Sequence, residues 1–152
     1  MPTITPFLWF DTQAEEAMNL YTSIFKNSKV LSVSRAQGRV MSVEFELQGQ
    51  KFMGLNAGPQ YQFSEAVSFF VACDSQAEID EYWEKLTADG GEPGRCGWLK
   101  DKFGLSWQIV PKQLGKLLSG GGDAARSGRV VQEMMSMNKL DLARLQEAHD
   151  RK

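Results

Sequence analysis

The sequence predicts an α+β protein in which tandem βαβββ units form curled mixed sheets around a cavity, followed by a C-terminal helical extension. One observation is an internal repeat: DTQAEEAMNLYTSIF begins at Asp11, and DSQAEIDEYWEKL begins at Asp74. A second is the short apolar segment before each copy, and a third is the set of alternating segments after it. One helix after a leading strand and before three more strands, occurring twice, describes a paired open sheet.

Each copy of the repeat is predicted to be a helix with a capping box at its start. Thr12 with Glu15, and Ser75 with Glu78, have the spacing at which a hydroxyl accepts from the first turn and a glutamate reaches back. Apolar residues then recur at helical spacing, so we expect one face of each helix to lie in the core. These residues are Ala14, Ala17, Met18, Tyr21, Ile24 and Phe25 in the first copy, and Ile79, Tyr82, Trp83 and Leu86 in the second.

Strands are predicted on both sides of each helix. The predicted strands are 4–10, 29–36, 40–47 and 51–56 in the first half, and 67–73, 93–95, 96–100 and 105–110 in the second. Gln37-Gly38, Gln48-Gly49 and Phe103-Gly104 are predicted turns, since glycine permits a positive φ. The two-residue period of the last strand is expected to place alternate side chains on opposite faces. Leu105, Trp107 and Ile109 would then face the helix, and Ser106, Gln108 and Val110 the cavity.

Three segments are predicted within one compact domain: a first unit at 1–58, a second at 59–111 and the helical extension at 112–152. The extension would begin with a short helix over 111–118, which the segment 119–122 interrupts. Asp123 and Asp141 are predicted N-caps of two later helices. An apolar stripe on the first of these is expected to cover the chain's own core, with a second chain as the alternative. The stripe consists of Val130, Val131, Met134 and Met135.

Charge and cysteine content exclude several classes of partner. The net charge of −2 gives no reason to expect a nucleic acid or an anionic membrane. No apolar run approaches the roughly 20 residues of a membrane span, and no secretory signal is visible at the N-terminus. Cys73 and Cys96 stand far apart and are expected to be reduced thiols. We therefore expect a cytoplasmic protein.

The run CGWLKDKFGLSWQIVP, from Cys96 to Pro111, resembles the signature of the PhnB-like group. This group, often labelled 3-demethylubiquinone-9 3-methyltransferase, is a branch of the vicinal oxygen chelate (glyoxalase/bleomycin-resistance) superfamily. WFDTQAEEAMNLYTSIF, FMGLNAGPQYQFSEAVSFFVACDSQAEIDEYWEKL and RVVQEMMSMNKLDLARLQ also match, so the resemblance covers nearly the whole chain. It implies tandem βαβββ units and a homodimer.

Metal-using members of the superfamily place a ligand, usually His or Glu, on the first and last strand of each unit. Here residues 3–10 hold no His, Asp, Glu or Cys, and 51–56 offers only Asn56 as an oxygen donor. By resemblance the positions of the second half fall at Ser68 and Gln108, which are poor ligands. The single histidine, His149, lies near the C-terminus. We therefore expect no chelated metal and no cofactor.

The methyltransferase label has no support in the glycine pattern. A doubly wound nucleotide site needs a glycine-rich turn between a strand and a helix. Gly90-Gly91 instead follows a predicted helix, and 120–122 lies between two helical segments. The residues thus leave open whether the protein is an enzyme.

The candidate pocket residues are neutral, and such groups suit a small, partly apolar molecule. They are Met53, Asn56, Ser68, Phe70, Trp98 and Gln108. The first hypothesis is a metal-independent small-molecule-binding protein of the glyoxalase/bleomycin-resistance type. One alternative is a dimeric protein with a vestigial pocket.

The other alternative is a vicinal-oxygen-chelate-type enzyme (lyase, isomerase or transferase-like). It would use a weakly bound metal or a carboxylate from Glu44, Glu46 or Asp101. Glu44 and Glu46 are expected on a solvated sheet face, and Asp101, between Lys100 and Lys102, in a surface turn.

Overall fold

The structure is a computed structural model that describes residues 1–151, and the chain divides into two compact units. The first unit is Met1–Phe63 and the second begins at Ser64. Each unit holds one four-stranded sheet, and the element order β-α-β-β-β occurs in both, which confirms the tandem units. The division into segments at 58 and 111 stays a prediction. No helix within residues 1–151 is long and apolar enough to span a membrane.

The first unit contains five elements. They are β1 (Phe7–Phe10), α1 (Ala14–Ile24), β2 (Ser28–Ala36), β3 (Arg39–Leu47) and β4 (Gln50–Asn56). The strand order is β1-β4-β3-β2, with β1 parallel to β4 and the other pairs antiparallel. The first strand begins three residues later than predicted, because Ile4 is fully exposed and Pro6 has no amide to donate to a neighbouring strand.

The core of the first unit lies between α1 and one face of its sheet. The ring of Tyr21 on α1 lies 6.2 Å from that of Phe45 on β3, and Phe45 stacks on Phe52 of β4 at 5.4 Å. All the apolar residues predicted on this helix face are buried, which confirms the helical period. The glycines of both predicted hairpin turns have positive φ, as do the glutamines before them.

The predicted capping box at the start of α1 is wrong. The N-cap is Gln13, and no side chain of the cap bonds to the first turn. Instead, the Ala14 amide donates to Oδ1 of Asn56 at 2.8 Å. Asn56 stands beside the start of the helix because β4 pairs with β1 in parallel, with Asn56 opposite Phe10.

The second unit repeats the element order of the first unit, with shorter strands. Its elements are β5 (Ser68–Cys73), α2 (Gln76–Thr87), β6 (Glu92–Pro93), β7 (Trp98–Lys100) and β8 (Ser106–Pro111), in the sheet order β5-β8-β7-β6. The strands predicted at 93–95 and 96–100 are both truncated. The reason is that Cys96 and Gly97 have φ of 59° and 85°, and their amides donate to Met137 and Asn138 carbonyls.

The predicted N-cap of α2 is confirmed, but the glutamate reaches the amide of Asp74, the residue before the cap, and not that of Ser75 itself. Oγ of Ser75 accepts from the Glu78 amide at 3.2 Å, and the Glu78 carboxylate accepts from the Asp74 amide at 2.7 Å. Ile79, Tyr82 and Leu86 are buried as predicted, while Trp83 is half-buried.

The C-terminal extension consists of α3 (Leu114–Ser119), a 3-10 turn (Gly120–Gly122), α4 (Ala124–Met135) and α5 (Leu142–Asp150). Asp123 and Asp141 cap α4 and α5 through bonds to backbone amides, as predicted. The helix predicted from 111 begins only at Leu114, because Pro111 still pairs with Cys73 as the last residue of β8.

One apolar cluster joins the extension to the second sheet. Its buried members are Val110, Leu114, Leu117, Val130, Met137, Leu140 and Leu145. Val110 therefore packs under the extension and does not face a cavity, which corrects the prediction: the helices cover this end of β8. The predicted stripe on α4 splits, since Val130 and Met134 pack here while Val131 and Met135 are exposed.

Candidate functional site

The second sheet has a helix face and an open face. Helix α2 packs against β5, β7 and β8, and the side chains of Leu99, Trp107 and Ile109 on that side are at most 3% exposed. Alternate residues point the other way. We call these the open face of the second sheet, formed by Ser68, Phe70, Glu92, Trp98, Lys100, Ser106 and Gln108.

Four of the predicted pocket residues lie together on this open face. The strand register puts Gln108 between Phe70 and Trp98 in one cross-strand row, and Ser68 is a diagonal neighbour. Nε2 of Gln108 donates to Oγ of Ser68 at 3.0 Å. Phe70 is 60% exposed. The face thus offers a neutral hydrogen-bonding pair bordered by two aromatic side chains.

A second row crosses all four strands in the order Glu92, Lys100, Ser106 and Ser68. Beside it is a pocket of about 260 Å³, lined by Glu65, Glu92, Pro93, Gly94, Trp98, Leu99, Lys100 and Ser106. Ser106 is 1% exposed, and its Oγ has no hydrogen-bond partner in the protein. The pocket therefore holds a buried hydroxyl whose bonding capacity is unused.

An ion pair between Lys100 and Glu65 forms part of the lining of this pocket. The hydrogen bond from the Lys100 ammonium lowers the pKa of the Glu65 carboxyl, and the same bond raises the pKa of Lys100. The two side chains are 40% and 61% exposed. Water screens such a pair, so it contributes little to stability and is easily exchanged.

Asp101 is a buried structural residue and not the surface turn residue that was predicted. It is 2% exposed, and its Oδ1 accepts from the amides of Phe103 and Leu105 at 2.9 and 3.1 Å. Its Oδ2 accepts from Nε1 of Trp107 at 2.9 Å. These bonds close the β7–β8 turn and fix the Trp107 ring on the helix face. The carboxylate is occupied as an acceptor, which argues against a role as general base.

The first sheet separates the two remaining predicted pocket residues. Met53 pairs with Phe7 and Glu44 on the face away from α1, whereas Asn56, three residues later, points to the helix side. There Asn56 binds the Ala14 amide and donates from Nδ2 to the Val40 carbonyl at 3.2 Å. It also lines a pocket of about 630 Å³, together with Asp11, Thr12, Glu15, Glu16, Arg35, Gly38, Arg39, Val40 and Met41.

Glu44 and Glu46 lie on the same face of the first sheet as Met53. They are half-buried, at 34% and 29% exposure, and not fully solvated as expected. Each is paired with a lysine: Glu44 with Lys51 at 3.4 Å and Glu46 with Lys29 at 3.7 Å.

The donor chemistry of these faces does not fit a chelated divalent ion. Within residues 1–151, no three His, Cys, Asp or Glu side chains are grouped so that they could hold a metal. On the faces away from the helices, the strands that pair in parallel carry one charged side chain, Lys51, and otherwise neutral groups. The neutral groups include Phe7, Trp9, Met53 and Leu55 in the first unit, and Ser68, Phe70, Ser106 and Gln108 in the second. Imidazole and carboxylate, the usual ligands, are missing from this set.

Known structures with the same fold include bacterial proteins of several kinds. A PhnB protein from Bacillus cereus, described as a 3-demethylubiquinone-9 3-methyltransferase, is 36% identical, with a TM-score of 0.68. The similarity covers 72% of this chain and 99% of that one. Protein PA1353 from Pseudomonas aeruginosa is 19% identical at a TM-score of 0.61, over 74% and 98% of the two chains.

A more distant structure is the fosfomycin resistance protein FosX from Listeria monocytogenes, complexed with Mn(II) and sulfate. It is 15% identical at a TM-score of 0.55, over 78% of this chain and 95% of that one, a level that shows the fold alone. No curated protein sequence matches the chain. A family model described as 3-demethylubiquinone-9 3-methyltransferase matches residues 2–110. The chain therefore belongs to that family, the PhnB-like group of the vicinal oxygen chelate superfamily.

Proposed function

We propose that this protein binds a small, partly apolar molecule without a metal ion, and that the open face of the second sheet holds the ligand. The observation that carries the proposal is the hydrogen-bonded pair of Ser68 and Gln108, with Phe70 and Trp98 as its neighbours. Binding sites commonly combine apolar walls with a few polar groups that fix orientation. Phe70, which is 60% exposed, supplies apolar surface next to this pair.

The fold relationship to FosX raises the rival possibility of a metal-dependent reaction. A manganese site of that kind requires imidazole or carboxylate ligands. On the open face of the second sheet, serine and glutamine stand on the two parallel strands β5 and β8. These side chains bind a divalent ion too weakly to displace its hydration shell, and this supports metal-independent binding.

A second candidate function is an enzyme that uses a carboxylate of the first unit. The supporting observation is that Glu44 and Glu46 are half-buried on the face away from α1. Against it, each carboxylate already forms an ion pair with a lysine, at 3.7 Å for Glu46 and 3.4 Å for Glu44. Binding without chemistry needs no such group, so we give it preference.

The methyltransferase name of the family gains no support from the glycine segments. Gly90 and Gly91 follow α2, and the 3-10 turn Gly120–Gly122 lies between α3 and α4. Neither stands between a strand and a following helix, the context in which backbone amides hold a nucleotide.

A homodimer in the cytoplasm is also proposed. The family resemblance supports the dimer, and the two free cysteines, Cys73 and Cys96, suit a reducing compartment. Sedimentation velocity at micromolar concentration tests the oligomer, and a monomer would contradict it.

The main proposal is tested by a thermal-shift screen of small, partly apolar compounds, both neutral and carboxylate-bearing, against the purified, metal-stripped protein. A ligand at 100 times its Kd adds about 2.7 kcal/mol to stability, a readily visible shift. The variant Gln108→Leu should then lose about tenfold or more in affinity, because ligand polar groups would face an apolar side chain. Gln132→Leu, at an exposed position of α4, is the matched control and should bind normally.

Two results would count against metal-independent binding at this face. One is a ligand whose binding survives Gln108→Leu unchanged. The other is binding or turnover that appears only after Mn²⁺ or Zn²⁺ is added and that Glu44→Gln abolishes, which would favour the enzyme.

A further inference from the structure

The 260 Å³ pocket beside the open face carries a more specific inference, which rests on the proposed function. Its polar groups differ from the neutral pair at the centre of the face. Lys100 supplies a cation, and Ser106 supplies a buried hydroxyl without a partner in the protein. The two residues are directly opposite each other on β7 and β8, so their side chains stand side by side.

Two neighbouring donors on one face form a site for an anionic oxygen. A buried hydroxyl normally has a partner, because an unsatisfied one costs free energy. Among residues 1–151, Ser106 Oγ is one of two buried side-chain atoms without a partner. Because Ser106 lies in the wall of the pocket, a molecule bound there is in a position to supply the partner.

The contact with Glu65 shows that the Lys100 ammonium binds a carboxylate. Glu65 binds this ammonium through its carboxylate in the lining of the pocket. It belongs to the segment between β4 and β5, and its side chain is 61% exposed. An exposed pair of this kind is weak, so another carboxylate can replace Glu65 at little cost.

The charge of the pocket is compatible with such an exchange. Glu92 also lines the pocket and is a cross-strand neighbour of Lys100, so an additional anion there would meet repulsion. A ligand carboxylate that displaces Glu65 leaves the number of charges around Lys100 unchanged. The apolar part of the ligand would contact Trp98 and Pro93 in the pocket wall.

We propose that this pocket is a carboxylate-binding subsite, in which Lys100 and Ser106 are the donors and Glu65 is an internal placeholder that the ligand carboxylate displaces. The substrate or ligand class of the protein is then a small organic carboxylate with an apolar body. The Glu65 contact would also keep the subsite closed to weakly binding anions.

The test compares benzoate with its uncharged analogue benzamide as probes of the full-length protein, by calorimetry and by ligand-observed NMR. Glu65→Gln should bind benzoate about two- to fivefold more tightly than the unmodified protein, the factor by which a weak exposed ion pair competes. Glu147→Gln is the matched control, because it breaks a similarly exposed pair with Arg151 on α5 and should change nothing.

The donor variants should act in the opposite direction. Lys100→Gln and Ser106→Ala should each weaken benzoate binding about tenfold or more, as expected for hydrogen bonds to a charged group. Ser106→Ala removes a hydroxyl that no protein group needs, so the variant should fold and unfold at the same temperature or higher. Benzamide binding should respond to none of these changes.

Three outcomes would overturn the subsite. They are equal binding of benzamide and benzoate, unchanged or weaker benzoate binding by Glu65→Gln, and no benzoate binding by that variant at millimolar concentration. The proposed function and the subsite can be distinguished. If a neutral ligand requires Gln108 but binds Ser106→Ala and Glu65→Gln as tightly as the unmodified protein, the binding face is supported and the carboxylate subsite is rejected.

Discussion

Replacing Asp101 by asparagine is a sharp test of whether this buried carboxylate supports the fold or the function. The substitution keeps the shape and one oxygen. That oxygen can still accept from the Phe103 and Leu105 amides, as Oδ1 does now. The new amide nitrogen, however, would face Nε1 of Trp107, which now donates to Oδ2 at 2.9 Å. Two donors would then oppose each other in a site that is 2% exposed.

The expected cost follows from those contacts. Leaving a buried donor unsatisfied costs about 1–3 kcal/mol, so we expect Asp101→Asn to lower the free energy of unfolding by about 2 kcal/mol. Trp107→Phe removes the opposing donor. The double variant should therefore show a coupling of about 1–2 kcal/mol in a double-mutant cycle, in which the packing loss of the smaller ring cancels.

Urea unfolding followed by far-UV circular dichroism measures the cycle, because fluorescence would change with the loss of Trp107. Glu84→Gln on the exposed side of α2 is the control for charge removal and should change stability by less than about 0.5 kcal/mol. The structural reading of Asp101 is refuted if Asp101→Asn keeps full stability but loses ligand binding or activity.

Three further predictions concern Asn56 and the cysteines. Asn56→Ala should lower the free energy of unfolding by about 1–2 kcal/mol, because the Ala14 amide loses its acceptor. Thr12→Ala should be nearly neutral in the same urea titration, and the reverse ranking would show that Thr12 caps α1 after all. Burial raises the pKa of Cys73 to about 12, so a thiol reagent at pH 8 should modify half-buried Cys96 first and Cys73 only after unfolding. Because the pKa of Cys73 is raised in the folded protein, its contribution to stability is complete below the pKa of the unfolded thiol and is lost as the pH rises toward about 12. Urea titrations at alkaline pH measure this loss, and the same loss in Cys73→Ala would contradict the prediction.

The local parts of the fold could be predicted from the sequence, and the parts that depend on distant pairing could not. The N-cap of α2 uses residues three apart, Ser75 and Glu78, and the bond from the Glu78 amide to the Ser75 hydroxyl forms as predicted. The cap of α1 comes from Asn56, 42 residues from the amide that it accepts from. No local spacing signals that contact, because it exists only once β1 and β4 pair in parallel.

The candidate site shows the same division. The two-residue period correctly put Ser106 and Gln108 on one face of β8, because alternation is a property of a single strand. It could not separate their roles. Gln108 finds Ser68 as a partner through the pairing of β5 with β8, while Ser106 finds none. Asp101 carried a usable signal, since aspartate commonly opens a turn that ends in glycine, here Gly104.

The two buried polar side chains of the β7–β8 hairpin, Asp101 and Ser106, differ in whether the protein satisfies their hydrogen bonds. Asp101 is a charged group whose oxygens accept from backbone and indole donors, so the fold itself accounts for it. Ser106 is buried to the same degree, but no protein group accounts for its hydroxyl. A carboxylate in the right place would satisfy Ser106 and replace Glu65 on Lys100 in one step. Of these two buried groups, Asp101 supports the fold because its oxygens are satisfied by the protein, and the unsatisfied hydroxyl of Ser106 is the one left for a ligand of the proposed subsite.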